Sequence, residues 1–210
     1  MRIARVRPKG RLHDLLVAET EEGTRAEISA EAAARHGWSP GTEVTPEQWE
    51  AALREDEPRR CRIAAWSLLD HRPRAAGELR AALVRRRFRP KVADAVVADL
   101  RAKKFLDDEA YARLLVRERL RKGDGPRAIK DLLRRRGIPE DMASRAIESE
   151  KPENAWEDAA RALLEKWNRR TRPEDPRKRR LSAAQHLLRK GYDADLVWRL
   201  VAEVVAGQGE

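Results

Sequence analysis

Basic side chains at helical spacing are the residues of this sequence best suited to chemistry. Arg113, Arg117 and Arg121 recur at every fourth position, which places them on one face of a helix. A second stripe follows with the spacing i, i+3, i+7: Arg127, Lys130 and Arg134. Guanidinium groups bind carboxylates and phosphates bidentately, so the two stripes predict a surface for a polyanion or an acidic protein. The alternative is a pair of solvated helix faces, partly neutralised by Glu118 and Asp131.

Two further basic clusters flank these stripes. The first is centred on positions 79–93, which contain no acidic residue, and we expect it to contact nucleic acid or an acidic protein: Arg85, Arg86, Arg87, Arg89, Lys91, Lys103 and Lys104. The other is interpreted as a solvated loop and helix start, with binding as a near-equal alternative: Arg169, Arg170, Arg172, Arg177, Lys178, Arg179 and Arg180. Phe88 interrupts the first cluster and is expected to anchor a core rather than to stack on a base.

The composition agrees with a basic binding surface. The chain has 210 residues, of which 39% are charged and 5% aromatic, and its net charge is +10. Residues 1–58 carry 8 basic and 12 acidic side chains, so the positive charge lies in the rest of the chain. Such a basic body favours a polyanionic or acidic partner. The alternative is that arginine-rich helices serve the solubility of a heat-adapted protein.

Residue types needed for catalysis do not form a recognisable motif. Cys61 is the single cysteine, and four histidines are scattered without metal-ligand spacing: His13, His36, His71 and His186. There is no glycine loop for phosphates and no nucleophile elbow. The acidic run Asp107-Asp108-Glu109 is better explained as a helix start than as a metal site. We therefore expect a protein that is not an enzyme and uses no cofactor and no metal.

The N-terminus has charges where a signal peptide needs apolar residues, and no apolar run approaches the ~20 residues that span a bilayer. We expect a cytoplasmic, monomeric protein with no membrane partner.

Residues 1–58 are predicted to form a small α+β module. Alternating residues 2–7 favour a strand, and a β-hairpin is expected from residues 12–19 and 24–29 around Gly23. A short helix follows over residues 30–36. Thr45-Pro46-Glu47-Gln48 is typical of a helix start. Asp56-Glu57-Pro58 is expected to end this helix and the module, and another helix is expected to begin near Arg59.

The remainder is predicted to be helical and internally repeated. Each of three anchors follows a leucine by five residues and precedes an apolar residue by four: Phe88, Ile138 and Tyr192. The anchors lie 50 and 54 residues apart, which indicates three three-helix units, at 59–106, 107–152 and 153–210. The fold class is therefore mainly α, with three tandem three-helix units forming an elongated body, about 75 Å long by compact-domain scaling.

The chain resembles the RecX family over most of residues 1–205, strongly over residues 61–148 and weakly in the third unit. The resemblance is carried by Asp107-Asp108-Glu109, Tyr111, Arg113, Arg117, the turn Lys122-Gly123-Asp124-Gly125-Pro126, Ile129, Leu133 and Gly137-Ile138. It implies three tandem three-helix repeats, no catalysis, and binding in the groove of the RecA–single-stranded DNA filament, with inhibition of ATP hydrolysis, strand exchange and coprotease action. One departure is Ala75, where members often place a hydroxyl residue that caps a helix.

The resemblance and the basic clusters together select eleven residues as contacts to the filament or its DNA, including weaker contacts to double-stranded DNA: Arg85, Arg86, Arg87, Lys103, Lys104, Arg113, Arg117, Arg121, Arg127, Lys130 and Arg134. Two other functions remain open. The chain could be a DNA-binding protein that needs no RecA, or a helical adaptor for an unrelated acidic partner.

Overall fold

The structure is a computed structural model that describes residues 1–10, 14–150, 155–170 and 175–206. The chain folds as two compact units, Met1–Leu106 and Asp107–Glu210. The first unit joins an N-terminal sheet to a set of helices, and the described part of the second unit is helical throughout. The mainly helical fold with a small N-terminal β module is thereby confirmed.

Antiparallel strands begin the first unit in the order β1-β2-β3: β1 (Ile3–Pro8), β2 (Leu15–Thr20) and β3 (Arg25–Ser29). Gly23, with a φ of 85°, supplies the left-handed conformation in the β2–β3 turn. The short helix α1 (Ala30–Arg35) follows, and the Ser29 hydroxyl caps its N-terminus. Trp38 and Trp49 stack with their ring centroids 4.3 Å apart in the core under the sheet. Residues 11–13, the start of one predicted hairpin strand among them, lie outside the described residues.

Helix α2 (Pro46–His71) begins as predicted but ends thirteen residues later than the expected break at Pro58. The Thr45 side chain and Gln48 form a reciprocal capping box, with Pro46 in the first turn. Pro58 has no backbone N–H to donate within the helix. The Leu53 carbonyl, which lies about one turn before Pro58, accepts a hydrogen bond from the Arg60 guanidinium at 2.7 Å. The expectation that the helix ends at Pro58 is therefore wrong.

Two buried carboxylates just before Pro58 explain why the helix continues. Asp56 accepts the Ser29 N–H at 2.7 Å and the Ser29 hydroxyl at 2.5 Å. Glu57 accepts the Arg89 N–H at 2.6 Å and also bonds the Arg89 guanidinium. Buried carboxylates are stable when they are paired and hydrogen-bonded in this way. This stretch of α2 therefore fastens the sheet on one side and the first helical repeat on the other.

Eight further helices follow α2 in the described part of the chain. In the first unit they are α3 (Ala76–Arg85) and α4 (Pro90–Ala102). In the second unit they are α5 (Asp108–Arg121), α6 (Pro126–Arg135), α7 (Glu140–Glu150), α8 (Ala155–Arg170), α9 (Pro176–Arg189) and α10 (Ala194–Ala206). Asp107 caps α5 by accepting the Ala110 N–H at 2.8 Å, as expected for a helix start. Ala75 gives α3 no side-chain cap.

The repeated turn is the clearest signature of the internal repeat. In each case the anchor N–H bonds the carbonyl of the leucine five residues earlier: Phe88 to Leu83, Ile138 to Leu133 and Tyr192 to Leu187. The residue before each anchor has a positive φ, and this residue is Arg87, Gly137 or Gly191. These are the features of a Schellman helix end. The three leucines are fully buried, and the predicted repeat is confirmed.

A contact between two glycine turns joins the second and third repeats within the second unit. The Gly125 N–H bonds the Lys190 carbonyl at 2.7 Å, and the Arg127 N–H bonds the Gly191 carbonyl at 3.1 Å. The Gly191 turn thus satisfies an N–H group at the start of α6 that the helix itself leaves free. A Cβ on Gly125 would lie 2.6 Å from the Gly191 carbonyl group, closer than real Cβ atoms approach.

We predict that Gly125→Ala destabilises the second unit by about 2 kcal/mol or more, because its added methyl group would push the two turns apart. Gly125 has no positive φ, so the loss would come from this contact. Gly123→Ala is the matched control in the same turn. Gly123 has a φ of 71° and its nearest side-chain neighbour, Leu163, lies at an ordinary 3.6 Å, so about 1 kcal/mol is expected. Urea unfolding measures both losses. A Gly125→Ala protein as stable as the parent would contradict the prediction.

Candidate binding surfaces

The eleven predicted contact residues divide into two groups by their ion pairs. Ten of them are exposed, and Arg113 is half-buried. Five form an ion pair with a carboxylate: Lys103 with Asp99 at 2.9 Å, Arg117 with Glu150 at 2.8 Å, Arg127 with Asp193, Lys130 with Glu140 at 2.7 Å, and Arg134 with Asp131 at 3.1 Å. These side chains would have to exchange a protein carboxylate for a ligand.

Six of the predicted residues have no carboxylate partner within 4.0 Å in the described part of the chain: Arg85, Arg86, Arg87, Lys104, Arg113 and Arg121. Arg121 donates instead to the Arg117 carbonyl at 3.3 Å. Exposed pairs contribute little to stability, but an unpaired guanidinium needs no exchange of partners before it binds an anion. These six residues, named the open cations below, are the strongest part of the predicted surface.

The second predicted stripe is the most neutralised part of the surface. Each of its three cations is paired, and Lys130 holds the pKa of Glu140 below its usual value. In the first stripe, Glu118 is bound by Lys122, which lowers the pKa of Glu118, rather than by an arginine of the stripe. The interpretation as partly paired helix faces therefore describes α6 better than α5.

Two of the open cations have strained backbones. Arg87 has a φ of 68° and Lys104 a φ of 60°, in the left-handed region that favours glycine. Arg87 occupies the turn position that glycine fills at Gly137 and Gly191. Strain of this kind persists where the surrounding structure holds it, and it concentrates at functional sites. The first repeat therefore keeps a charged side chain where the other two repeats use the less strained residue.

The third basic cluster lies partly outside the described residues, which exclude Arg172. Within the described part, the Arg179 guanidinium donates to the Asn168 side chain at 2.6 Å, and the other members are exposed. Asp175 caps α9 at their centre by accepting the N–H groups of Arg177 and Lys178. Solvated loop and binding surface both stay open as predictions for this cluster.

The exposure of aromatic and apolar side chains varies along the helices. Trp167 packs on the third-repeat core beside His186. The exposed tryptophan is Trp198, at 49%. Leu114 is 44% exposed, whereas its neighbour Leu115 is buried. Each of these residues lies on an amphipathic helix that carries apolar side chains on adjacent turns. The periodicity of the sequence does not reveal which of those turns another helix covers.

Burial shifts the pKa values of the single cysteine and of one histidine. Burial raises the pKa of the Cys61 thiol to about 11, so the thiolate nucleophile is scarce at neutral pH. Burial, with Arg189 and Lys190 nearby, lowers the pKa of His186. Over the described ranges, no group of three histidine, cysteine, aspartate or glutamate side chains is placed to hold a metal ion. No helix in those ranges is both long and apolar enough to cross a membrane.

Comparison with known proteins matches each helical repeat separately. The family models of the first, second and third three-helix domains of RecX match residues 61–100, 107–147 and 156–201. The regulatory protein RecX of Thermobifida fusca is 35% identical over 163 residues, covering 76% of this chain and 86% of that protein. The RecX of Deinococcus radiodurans is 28% identical over 162 residues, covering 77% and 76%.

Two crystal structures share the fold. A regulatory protein RecX superimposes with a TM-score of 0.61 and 21% identity, covering 99% of both chains. RecX from Lactobacillus salivarius gives a TM-score of 0.62 and 22% identity, covering 71% of this chain and 97% of its own. Tandem three-helix domains and relatives named as regulatory proteins define the class: a helical-repeat regulatory protein. The chain belongs to the RecX family.

We predict that Arg87→Gly raises the free energy of unfolding of the first unit by roughly 0.5 kcal/mol. A left-handed conformation costs a residue other than glycine about 1–2 kcal/mol, which the greater freedom of glycine in the unfolded chain partly offsets. Arg86→Gly is the neighbouring control, because Arg86 has a φ of −81° and loses favourable geometry. Urea unfolding should rank Arg87→Gly above the parent protein and Arg86→Gly below it. The reverse order would show that Arg87 is not strained.

Proposed function

We propose that this protein binds the RecA–single-stranded DNA filament in the cytoplasm and inhibits the ATPase, strand-exchange and coprotease activities of RecA. The observation that carries the proposal is the match of all three helical repeats to the RecX domains. The open cations support it, because a filament of protein on DNA presents both phosphates and carboxylates. The relatives are named regulatory proteins, which favours action by binding rather than by catalysis.

The proposed inhibition follows from occupying a groove. Arginine and lysine on successive repeats would contact phosphates or acidic side chains of neighbouring RecA protomers, and each contact would stabilise the bound state by charge-assisted hydrogen bonds. A ligand that bridges protomers opposes the relative motions that ATP hydrolysis and strand exchange require, since it binds one arrangement better than the others. Capping of the filament end and filament disassembly are alternative routes to the same inhibition.

The test is the ATPase activity of RecA on single-stranded DNA, measured while this protein is titrated from substoichiometric amounts to one per RecA. We expect the rate to fall over this range. The matched control is a protein in which Arg113 and Arg121 are both changed to Glu, which should inhibit less. An unchanged ATPase rate at every dose would refute the proposal.

The rival function is DNA binding without RecA, which the unpaired arginines alone also permit. That function predicts tight binding to bare single-stranded DNA whose affinity falls steeply with salt. About six phosphate contacts to single-stranded DNA give a slope near −4 in a plot of log affinity against log salt. Weak binding to bare DNA together with tight binding to a preformed filament supports the filament proposal. Equal affinity for the two supports the rival.

We predict that charge reversal at an open cation weakens filament binding more than the same change elsewhere. Arg121→Glu should reduce affinity roughly tenfold, because it removes one favourable contact and adds a repulsive one. The control is Arg145→Glu on α7, where an exposed arginine outside the predicted surface pairs with Asp141 at 2.9 Å. Fluorescence anisotropy of labelled DNA in a preformed filament measures both. Equal losses would mean that overall charge, not the α5 face, determines binding.

A further inference from the structure

The first unit contains a cleft that the predicted surface does not include. Its cavity of about 580 Å³ lies between the sheet, helix α2 and the α3–α4 turn. The floor is apolar and is formed by Leu15, Ile63 and Phe88. The rim is cationic and is formed by Lys9, Arg60 and Arg86. The volume is within the range of ligand-binding pockets.

A second hollow of about 510 Å³ adjoins the first and shares four lining residues with it. Together the two are lined by six arginine or lysine side chains and three glutamates. Two of these six cations are paired within the lining, Lys9 with Glu27 and Arg89 with Glu57, and the lining as a whole keeps a net positive charge. An occupant must supply negative charge and apolar surface together.

On the rim, Lys9 pairs with Glu27, whereas Arg60 and Arg86 are incompletely satisfied within the described part of the chain. Arg86 is exposed and is one of the open cations. The Arg60 Nε is buried without a hydrogen-bond acceptor, although Asp56 lies 3.4 Å away. Both Asp56 oxygens are already bonded by Ser29. The exposed Arg86 guanidinium is therefore the rim group that an entering anion can bind without displacing a carboxylate of the protein.

The turn at the cleft also departs from its two equivalents. The anchors Ile138 and Tyr192 are 3% and 1% exposed, whereas Phe88 is half-buried and lines both hollows. The preceding residue is the strained Arg87, which lines the second hollow. Two departures from the repeat at one turn, both facing the cleft, indicate that this turn serves binding as well as folding.

We propose that the cleft binds an extended segment of a partner protein in which acidic and apolar residues alternate. Apolar side chains of the segment would cover Ile63 and Phe88, and its carboxylates would bond Arg60 and Arg86. Ile63 is half-buried and does not belong to the first-repeat core, so its exposed surface is available to a partner.

A nucleic-acid backbone fits the cleft less well. It would place a phosphate at every nucleotide along a lining that also holds the Glu27 and Glu57 carboxylates, whereas a peptide can carry its acidic residues only where they face the arginines. It would also leave the apolar floor uncovered, since a sugar–phosphate chain carries charge at every unit. Single strands are usually held by exposed aromatic platforms, and Phe88 is packed against the first-repeat core. The charge pattern therefore favours a protein segment.

The test uses a fluorescein-labelled nonapeptide that alternates aspartate with leucine and phenylalanine, titrated with the full-length protein and followed by anisotropy. Two cleft variants are compared, Arg86→Glu on the rim and Ile63→Asp on the floor. Arg5→Glu is the matched control, because Arg5 is exposed in the same unit and does not line the cleft. A peptide with asparagine in place of aspartate and a labelled oligo(dT) are the comparison probes.

We expect both cleft variants to weaken binding of the acidic peptide at least tenfold and Arg5→Glu to change it less than twofold. The asparagine peptide should also bind at least tenfold more weakly. Equal urea midpoints would show that the variants remain folded. The proposal is overturned if the acidic peptide does not bind, if Arg5→Glu weakens it equally, or if the cleft variants affect oligo(dT) but not the peptide. No filament is present, so this outcome is independent of the proposed action on RecA.

Discussion

A helix cannot end inside a packed repeat unless its last carbonyl groups find hydrogen-bond donors. The helices α3, α6 and α9 meet that requirement with the same turn, in which a left-handed residue brings the next N–H back to a buried leucine carbonyl. The turn simultaneously places the anchor side chain over the core, so helix termination and core packing depend on one another. The Gly191 turn goes further, because its carbonyl also bonds the first turn of α6. The turn that ends α9 therefore also forms the contact between the second and third repeats.

The N-terminal module is attached by a different physical device. Asp56 and Glu57 are adjacent on α2 and face opposite structures, the Ser29 end of β3 and the Arg89 start of α4. Each carboxylate supplies acceptors to backbone N–H groups that would otherwise lack them at a helix start. Removing either carboxylate would leave a buried donor unpaired. Sheet and repeat are therefore held through one helix, and Pro58 lies within that helix rather than at a boundary.

Features set by neighbouring residues could be predicted from the sequence, and features set by distant pairs could not. The anchors, the left-handed turn residues and the caps at Thr45 and Asp107 follow from local patterns, and the structure contains them. The ion pairs of Arg117 with Glu150 and Arg127 with Asp193 join residues 33 and 66 positions apart. Spacing along a helix cannot reveal such partners. The cleft could not be predicted from the sequence for the same reason, because Lys9, Arg60 and Arg86 come from three separate segments.

The first repeat shows how stability and binding oppose each other at one turn. Glycine at position 87 would relieve backbone strain, and a deeper Phe88 would bury more apolar surface. The turn instead keeps an exposed arginine and a half-buried aromatic ring beside a cationic cleft. The carboxylates of Glu57 and Asp56 hold the neighbouring backbone, so the surrounding structure can maintain this less stable arrangement. A turn that served folding alone would gain from glycine, as the two other repeats illustrate, and the retained arginine therefore argues for a partner at this surface.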